Sequence, residues 1–124
     1  MSEMQLNNVK KQVDESIEQG AKKLYESPIP TDGGNFYPVT VLSDLKQDML
    51  IQSAETFGPV VALSTFDGSE EEAVKLANDT EYGLASYVYT GDLKKGSRLA
   101  RKIRSGQVGI NCYSLVAAQP KCPW

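Results

Sequence analysis

Histidine is absent from all 124 residues, and that absence removes more chemistry than any residue present supplies. Serine and cysteine hydrolases ordinarily use an imidazole to take the nucleophile's proton, so triads of the usual kind are excluded. Metal sites built on imidazole go with them. No carboxylate cluster has the alternating spacing of a calcium loop either, so no metal is assigned. Cysteine is scarce. Cys112 and Cys122 neither suggest a disulfide framework nor make up the ligand set of structural zinc, and both read as reduced thiols.

Long apolar runs are also missing. Pro59 to Leu63 and Val39 to Leu42 fall far short of the roughly 20 residues that cross a bilayer. The opening MSEMQLNNVKKQVDE mixes acids and bases around no apolar centre, so it is not a secretory signal. A cytoplasmic setting is the expectation, with an organelle matrix as the alternative. Nor is there a cationic excess. A formal net charge of −3 gives no drive toward phosphate backbones or anionic lipid, so neither nucleic acid nor membrane is expected as a partner.

What remains is ordinary globular composition, 40% hydrophobic and 23% charged, at a length that fits one domain. From Leu6 to Gly20, Leu6, Val9, Val13 and Ile17 recur at helical spacing among charged residues, which predicts an amphipathic helix ended by Gly20. Lys22 to Glu26 reads as a short edge strand before the turn-rich SPIPTDGGN. Phe36 to Leu42 mixes aromatic and β-branched residues, although Pro38 confines that strand to an edge or a strand start.

Val60 to Phe66 (VVALSTF) predicts a strand feeding a helix over 70–79, with Ser69 and Glu72 at capping-box spacing. Glu70, Glu71 and Glu72 then fall in the helix's first turn, where the dipole favours negative charge, and read as a solvated helix start. Leu84 to Thr90 predicts another strand. Asp92 begins a helix over 92–104 that turns Leu93, Ala100 and Ile103 inward, and Gln107 to Asn111 a last strand. The helix's basic residues, Lys94 to Arg104, read as a solvated face rather than an anion surface. Strand–helix alternation with short connections predicts an α/β fold with parallel neighbours, the 60–66, 84–90 and 107–111 segments sharing one sheet under both helices.

Pattern alone stops at a soluble α/β domain. Particular residues go further. Glu55-Thr56-Phe57-Gly58-Pro59-Val60, downstream of Tyr37-Pro38-Val39-Thr40-Val41-Leu42, resembles the E-x-F-G-P-V motif of the NAD(P)-dependent aldehyde dehydrogenases. Ala77-Asn78-Asp79-Thr80-Glu81-Tyr82-Gly83-Leu84-Ala85 follows in order, similar to that family's A-N-x-T-x-Y-G-L-A. Ser105-Gly106-Gln107-Val108-Gly109-Ile110-Asn111 comes next, similar to its A-G-x-V-x-I-N. The resemblance covers essentially the whole chain. One departure is Val39-Thr40, where proline stands a residue earlier than the family's P-T-V-L order and predicts an altered local turn.

The resemblance implies that residues 1–124 are a partial catalytic domain, a parallel-sheet portion with crossover helices. By the same comparison it lacks the nucleotide-binding half, the segment with the nucleophilic cysteine, the general-base glutamate and the C-terminal oligomerisation segment. The intact enzyme is expected to be a homodimer or homotetramer that oxidises an aldehyde to a carboxylic acid with NAD or NADP through a cysteine thiohemiacetal. Glu55 corresponds to a glutamate that accepts hydrogen bonds from the nicotinamide ribose hydroxyls, and Phe57 to a residue packing beside that ribose. Without the resemblance they would read as a surface acid and a core aromatic. Asn111, Tyr113, Val116 and Trp124 lie where the family's aldehyde pocket is lined, Trp124 serving equally well as ordinary cover.

No catalytic residue is assigned, and the isolated chain is expected to be inactive and to expose apolar surface. Two other classes stay open: a stand-alone non-catalytic binding or scaffold module of the same fold, and an independent cysteine enzyme using Cys112 or Cys122.

Overall fold

A computed structural model of the chain describes residues 1–30 and 33–113. They fall into two compact units, Met1–Phe66 and the unit that begins at Asp67. Among the described residues no helix is long and apolar enough to cross a membrane.

The first unit opens with helix α1, Glu3–Glu18, started by Ser2, whose hydroxyl accepts the Gln5 backbone N–H. Its sequence-predicted stripe is right at Val9 and Val13, both buried, but Ile17 is 37% exposed. Ser16 takes the inward place in the last turn, tolerated because its hydroxyl donates to the Gln12 carbonyl at 2.7 Å. Gly20 ends the helix at φ +106, as the pattern requires.

Three strands follow: β1 (Lys22–Glu26), β2 (Thr40–Ser43) and β3 (Val60–Ala62), in the sheet order β1-β2-β3. β1 pairs antiparallel with β2, and β2 pairs parallel with β3. β1 is the edge strand expected. β2 is central, and Pro38, which has no N–H to give a ladder, lies outside it; the strand therefore starts at Thr40 rather than at Phe36. Ser27 helps close the gap, its N–H donating to the Val39 carbonyl and its hydroxyl accepting the Val39 N–H.

Thr40 and Leu42 are buried at period two on β2. Leu42 joins Val13, Ala21, Met49 and Ile51 in the core. The last two come from a short helix, α2 (Leu50–Ser53), and its entry, which the sequence reading did not anticipate. β3 is shorter than the predicted 60–66 strand, and Val61, Leu63 and Phe66 are exposed, as are Leu24 and Tyr25 on β1.

The second unit contains α3 (Glu70–Ala77), β4 (Ala85–Val88), α4 (Leu93–Lys102) and β5 (Gln107–Ile110). β4 and β5 are parallel neighbours joined across α4, the strand–helix–strand unit expected. The expectation of one shared sheet fails: β3 pairs with β2, while β4 and β5 make a sheet of their own. The capping box at α3 is also changed. Ser69 caps as predicted, but the Glu72 carboxylate returns to the Asp67 N–H because Asp67 already accepts the N–H of Ser69.

On α4 the inward stripe shifts. Leu93 is 65% exposed, whereas Gly96 and Leu99 are buried with Ala100 and Ile103 half-buried beside them. The helix comes nearest the sheet at Gly96, where a Cβ would lie 2.9 Å from an Ile110 methyl, so the first helical residue is left beyond the contact.

Candidate functional site

The segment between α2 and β3, residues 54–59, has no regular structure, yet its backbone is closely determined. The Gly58 N–H returns to the Thr56 carbonyl at 2.9 Å and the Val60 N–H to the Gly58 carbonyl at 2.8 Å, two successive three-residue turns centred on Phe57 and Pro59. The Pro59 carbonyl accepts the Thr40 N–H, which ties the end of the loop to β2.

One face of α1 grips the other end. Gln5 donates its side-chain amide to the Phe57 carbonyl at 2.8 Å, and the Thr56 hydroxyl donates to the Gln12 side-chain oxygen. Between them, Gly58 lies so close to Val9 that a Cβ there would fall 2.6 Å from a valine methyl. Gln5, Val9 and Gln12 stand at i, i+4 and i+7, so they lie on one helical face. Sequence reading missed both glutamines. The signal was present: polar residues stand on the same stripe as Val9 and Ser16, both buried.

Held in this way, the loop turns Glu55 and Phe57 outward. Phe57 is 68% exposed, so the described residues do not bury its ring. Glu55 is exposed and, among the described residues, has no hydrogen-bond or ion-pair partner. A free carboxylate offers two acceptor oxygens, and an exposed ring offers an apolar platform two residues along. This donor-free, acceptor-rich pair fits a ribose diol, so the residues present are compatible with the cofactor the sequence resemblance implies.

In the second unit Asn111 follows β5 with φ +51, a left-handed conformation asparagine tolerates better than most residues. Its amide nitrogen donates to the Thr90 carbonyl and its oxygen accepts the Thr90 N–H, both at 2.8 Å, so the side chain extends the β4–β5 ladder by one artificial pair. Tyr113 is 82% exposed, its ring centroid 6.4 Å from that of Tyr87. Cys112 is an exposed free thiol. Val116, Trp124 and Cys122 lie outside the described residues.

The other two motifs meet each other. Asn78, at the C-cap of α3, donates to the Lys102 carbonyl at 2.9 Å and accepts the Arg104 N–H at 2.7 Å, while its own carbonyl takes the Arg104 guanidinium. The Gly106 N–H donates to the Gly83 carbonyl at 2.7 Å, and the Ser86 and Ser105 hydroxyls bond at 2.8 Å. A Cβ on Gly83 would meet the Arg104 carbonyl oxygen at 2.6 Å.

Charges in this unit serve its helices. The Arg98 guanidinium pairs with Glu70 at 2.7 Å and holds that carboxyl below its usual range. Glu70 is therefore part of a bridge between α3 and α4, not simply the solvated helix start its sequence suggested. The Lys95 and Lys94 backbone N–H groups do the same to Asp92, the N-cap of α4.

Comparison with known proteins converges on one group. A sequence model of the aldehyde dehydrogenase family matches residues 1–124. Betaine aldehyde dehydrogenase of Bacillus subtilis is 43% identical over 120 residues, covering 94% of this chain and 24% of that protein. The crystal structure of Mycobacterium tuberculosis aldehyde dehydrogenase complexed with NAD+ superimposes with a TM-score of 0.86 at 38% identity, over 95% of this chain and 25% of that one. An Escherichia coli NADP-dependent enzyme superimposes at 0.81 and 32% identity, over 91% of this chain and 23% of that one. The chain spans about a quarter of the length of these relatives.

Proposed function

The chain belongs to the aldehyde dehydrogenase family, and from that premise we propose that its 124 residues act within a longer polypeptide that oxidises an aldehyde to a carboxylic acid with NAD or NADP. The observation that carries this reading is the outward pair on the clamped loop: a Glu55 carboxylate without a partner among the described residues and a 68% exposed Phe57 ring. NAD(P), when bound, supplies the hydride acceptor.

This chain's share is orientation. Glu55 accepts the hydrogen bonds of the ribose hydroxyls on its two oxygens, and Phe57 packs against the sugar and limits its rotation. Neither side chain can attack a carbonyl. The nucleophilic cysteine and the general-base glutamate are supplied by other segments, and Cys112 and Cys122 are bystanders. Asn111 and Tyr113 border the aldehyde, with Asn111 acting chiefly through the backbone it holds at Thr90. Exposed apolar residues on β1 and β3, among them Leu24 and Val61, support the view that further chain covers them.

Kinetics of the longer polypeptide test the proposal. Glu55→Gln leaves one acceptor oxygen in place of two and is expected to lower kcat/KM for NAD(P) roughly ten- to a hundred-fold. Cys112→Ala is expected to leave turnover nearly intact. NAD(P)H production by the 124 residues alone, abolished by substituting either cysteine, would place the chemistry where this proposal denies it.

A further inference from the structure

We infer that Gln5 and Gln12 of α1 are positioning residues for the cofactor loop, holding the Phe57 carbonyl and the Thr56 side chain and so the directions in which Phe57 and Glu55 point. The inference rests on the proposed role of those two side chains. Its physical basis is independent of that role.

A helix that only covered a core would place apolar side chains along its inward stripe. Here two amides flank Val9 on that stripe, and all three reach consecutive loop residues: Gln12 takes the Thr56 hydroxyl, Gln5 the Phe57 carbonyl, and Val9 the face of Gly58. The loop's own hydrogen bonds join residues 56, 58 and 60 and leave the Phe57 carbonyl without a partner inside the loop. Gln5 supplies it. With the Phe57 carbonyl and the Thr56 side chain both anchored to one helix, the Phe57 ring and the nearby Glu55 carboxylate are set before any ligand arrives. Such preorganisation lowers the ordering required on binding.

The glutamines touch neither substrate nor cofactor, so their effect has to pass through Glu55 and Phe57. In the longer polypeptide, Gln5→Met and Gln12→Met keep length and helix propensity but remove the amide partner. Each is expected to raise the KM for NAD(P) about three- to ten-fold while leaving the KM for aldehyde unchanged, the loss of one ordinary hydrogen bond expressed as affinity. Gln12→Glu retains an acceptor for the Thr56 hydroxyl and is expected to stay within about two-fold of the parent. Introduced into a Glu55→Gln, Phe57→Ala double variant, Gln5→Met should add little further, because those two side chains carry its effect.

A fall in melting temperature with an unchanged KM for NAD(P) would overturn the inference, reducing the glutamines to fold-holding. So would full additivity with the Glu55→Gln, Phe57→Ala double variant. If Glu55→Gln itself leaves kcat/KM for NAD(P) unchanged, the cofactor reading of the loop fails, and the positioning role fails with it.

Discussion

The loop at residues 54–59 and the junction between residues 78–86 and 102–106 bear equally clear family motifs, yet the molecule uses them in opposite ways. In the loop, the polar atoms that hold the fold belong to the backbone, to Thr56 and to α1, and Glu55 and Phe57 are left to the solvent. In the junction, a polar side chain of each motif is committed to neighbouring protein: Asn78 to the backbone of Lys102 and Arg104, and Ser105 to the Ser86 hydroxyl. A recurring motif can therefore mark either a ligand contact or a splice between elements. What separates the two cases is whether its polar side chains have protein partners.

If that division is right, the junction should respond to substitution in stability and the loop in cofactor affinity. The largest stability effect is expected at Gly83. A methyl there would meet the Arg104 carbonyl oxygen at 2.6 Å, and a backbone atom held by neighbouring hydrogen bonds cannot easily give way. Gly83→Ala should cost about 1–3 kcal/mol, read by urea unfolding, and should accelerate amide exchange at Gly106, whose N–H donates to Gly83. An unchanged unfolding midpoint would show that the junction is looser than its geometry.

Asn78→Ala should come next. It removes the two side-chain hydrogen bonds that join the ends of α3 and α4 and leaves the Lys102 carbonyl and the Arg104 N–H to find water. A loss of about 1–2 kcal/mol is expected, with no change in the KM for NAD(P). A shift in that KM instead would mean the junction reaches the cofactor and would erase the contrast with the loop.

Asn111→Ala is expected to cost about 1 kcal/mol. It loses the clasp on Thr90 and places alanine at φ +51, a conformation asparagine accepts more readily. Asn111→Gly relieves the backbone strain but not the lost clasp, so it separates the two contributions. Chemical denaturation of both variants checks this, and equal midpoints would show that backbone strain contributes nothing measurable.

Much of this architecture was legible in the sequence because periodicity reports burial wherever one face is covered. The Val9–Val13 stripe and the strand–helix–strand of β4, α4 and β5 follow from it, whereas the burial of Thr40 and Leu42 on a central strand was not read from the sequence. Glu55 and Phe57 were marked by their place in a motif; no periodicity could show that their side chains are exposed. What stayed hidden depended on contacts between distant segments. Met49 and Ile51 are core residues presented by a helix too short to show a period. Leu93 carries the right hydrophobicity at the wrong end of a helix whose closest approach is set by Gly96. The pairing of β3 with β2, and of β4 with β5, is a choice of partner that local pattern does not encode.

The smallest effect is a dependence on acid. Asp92 accepts the Lys95 and Lys94 N–H groups at the start of α4, and Glu70 accepts the Arg98 guanidinium; each folded-state pKa lies below its ordinary value. A carboxyl whose pKa is depressed by folding binds fewer protons folded than unfolded. Its stabilisation is therefore present in full above the unfolded-state pKa and is lost as pH falls through the folded one. For an aspartate and a glutamate that window opens below about pH 4 to 4.5. Both groups are in contact with solvent, so salt should weaken the Glu70–Arg98 share and leave most of the Asp92 cap, which is a hydrogen bond at short range. Asp92→Asn keeps an acceptor for the helix N–H groups but cannot titrate. At neutral pH it should be nearly as stable as the parent, and on acidification it should lose less. Thermal melts from pH 7 to 3 at low and high salt measure this, and parallel pH profiles for the parent and Asp92→Asn would show that the cap carboxylate contributes no acid sensitivity to the second unit.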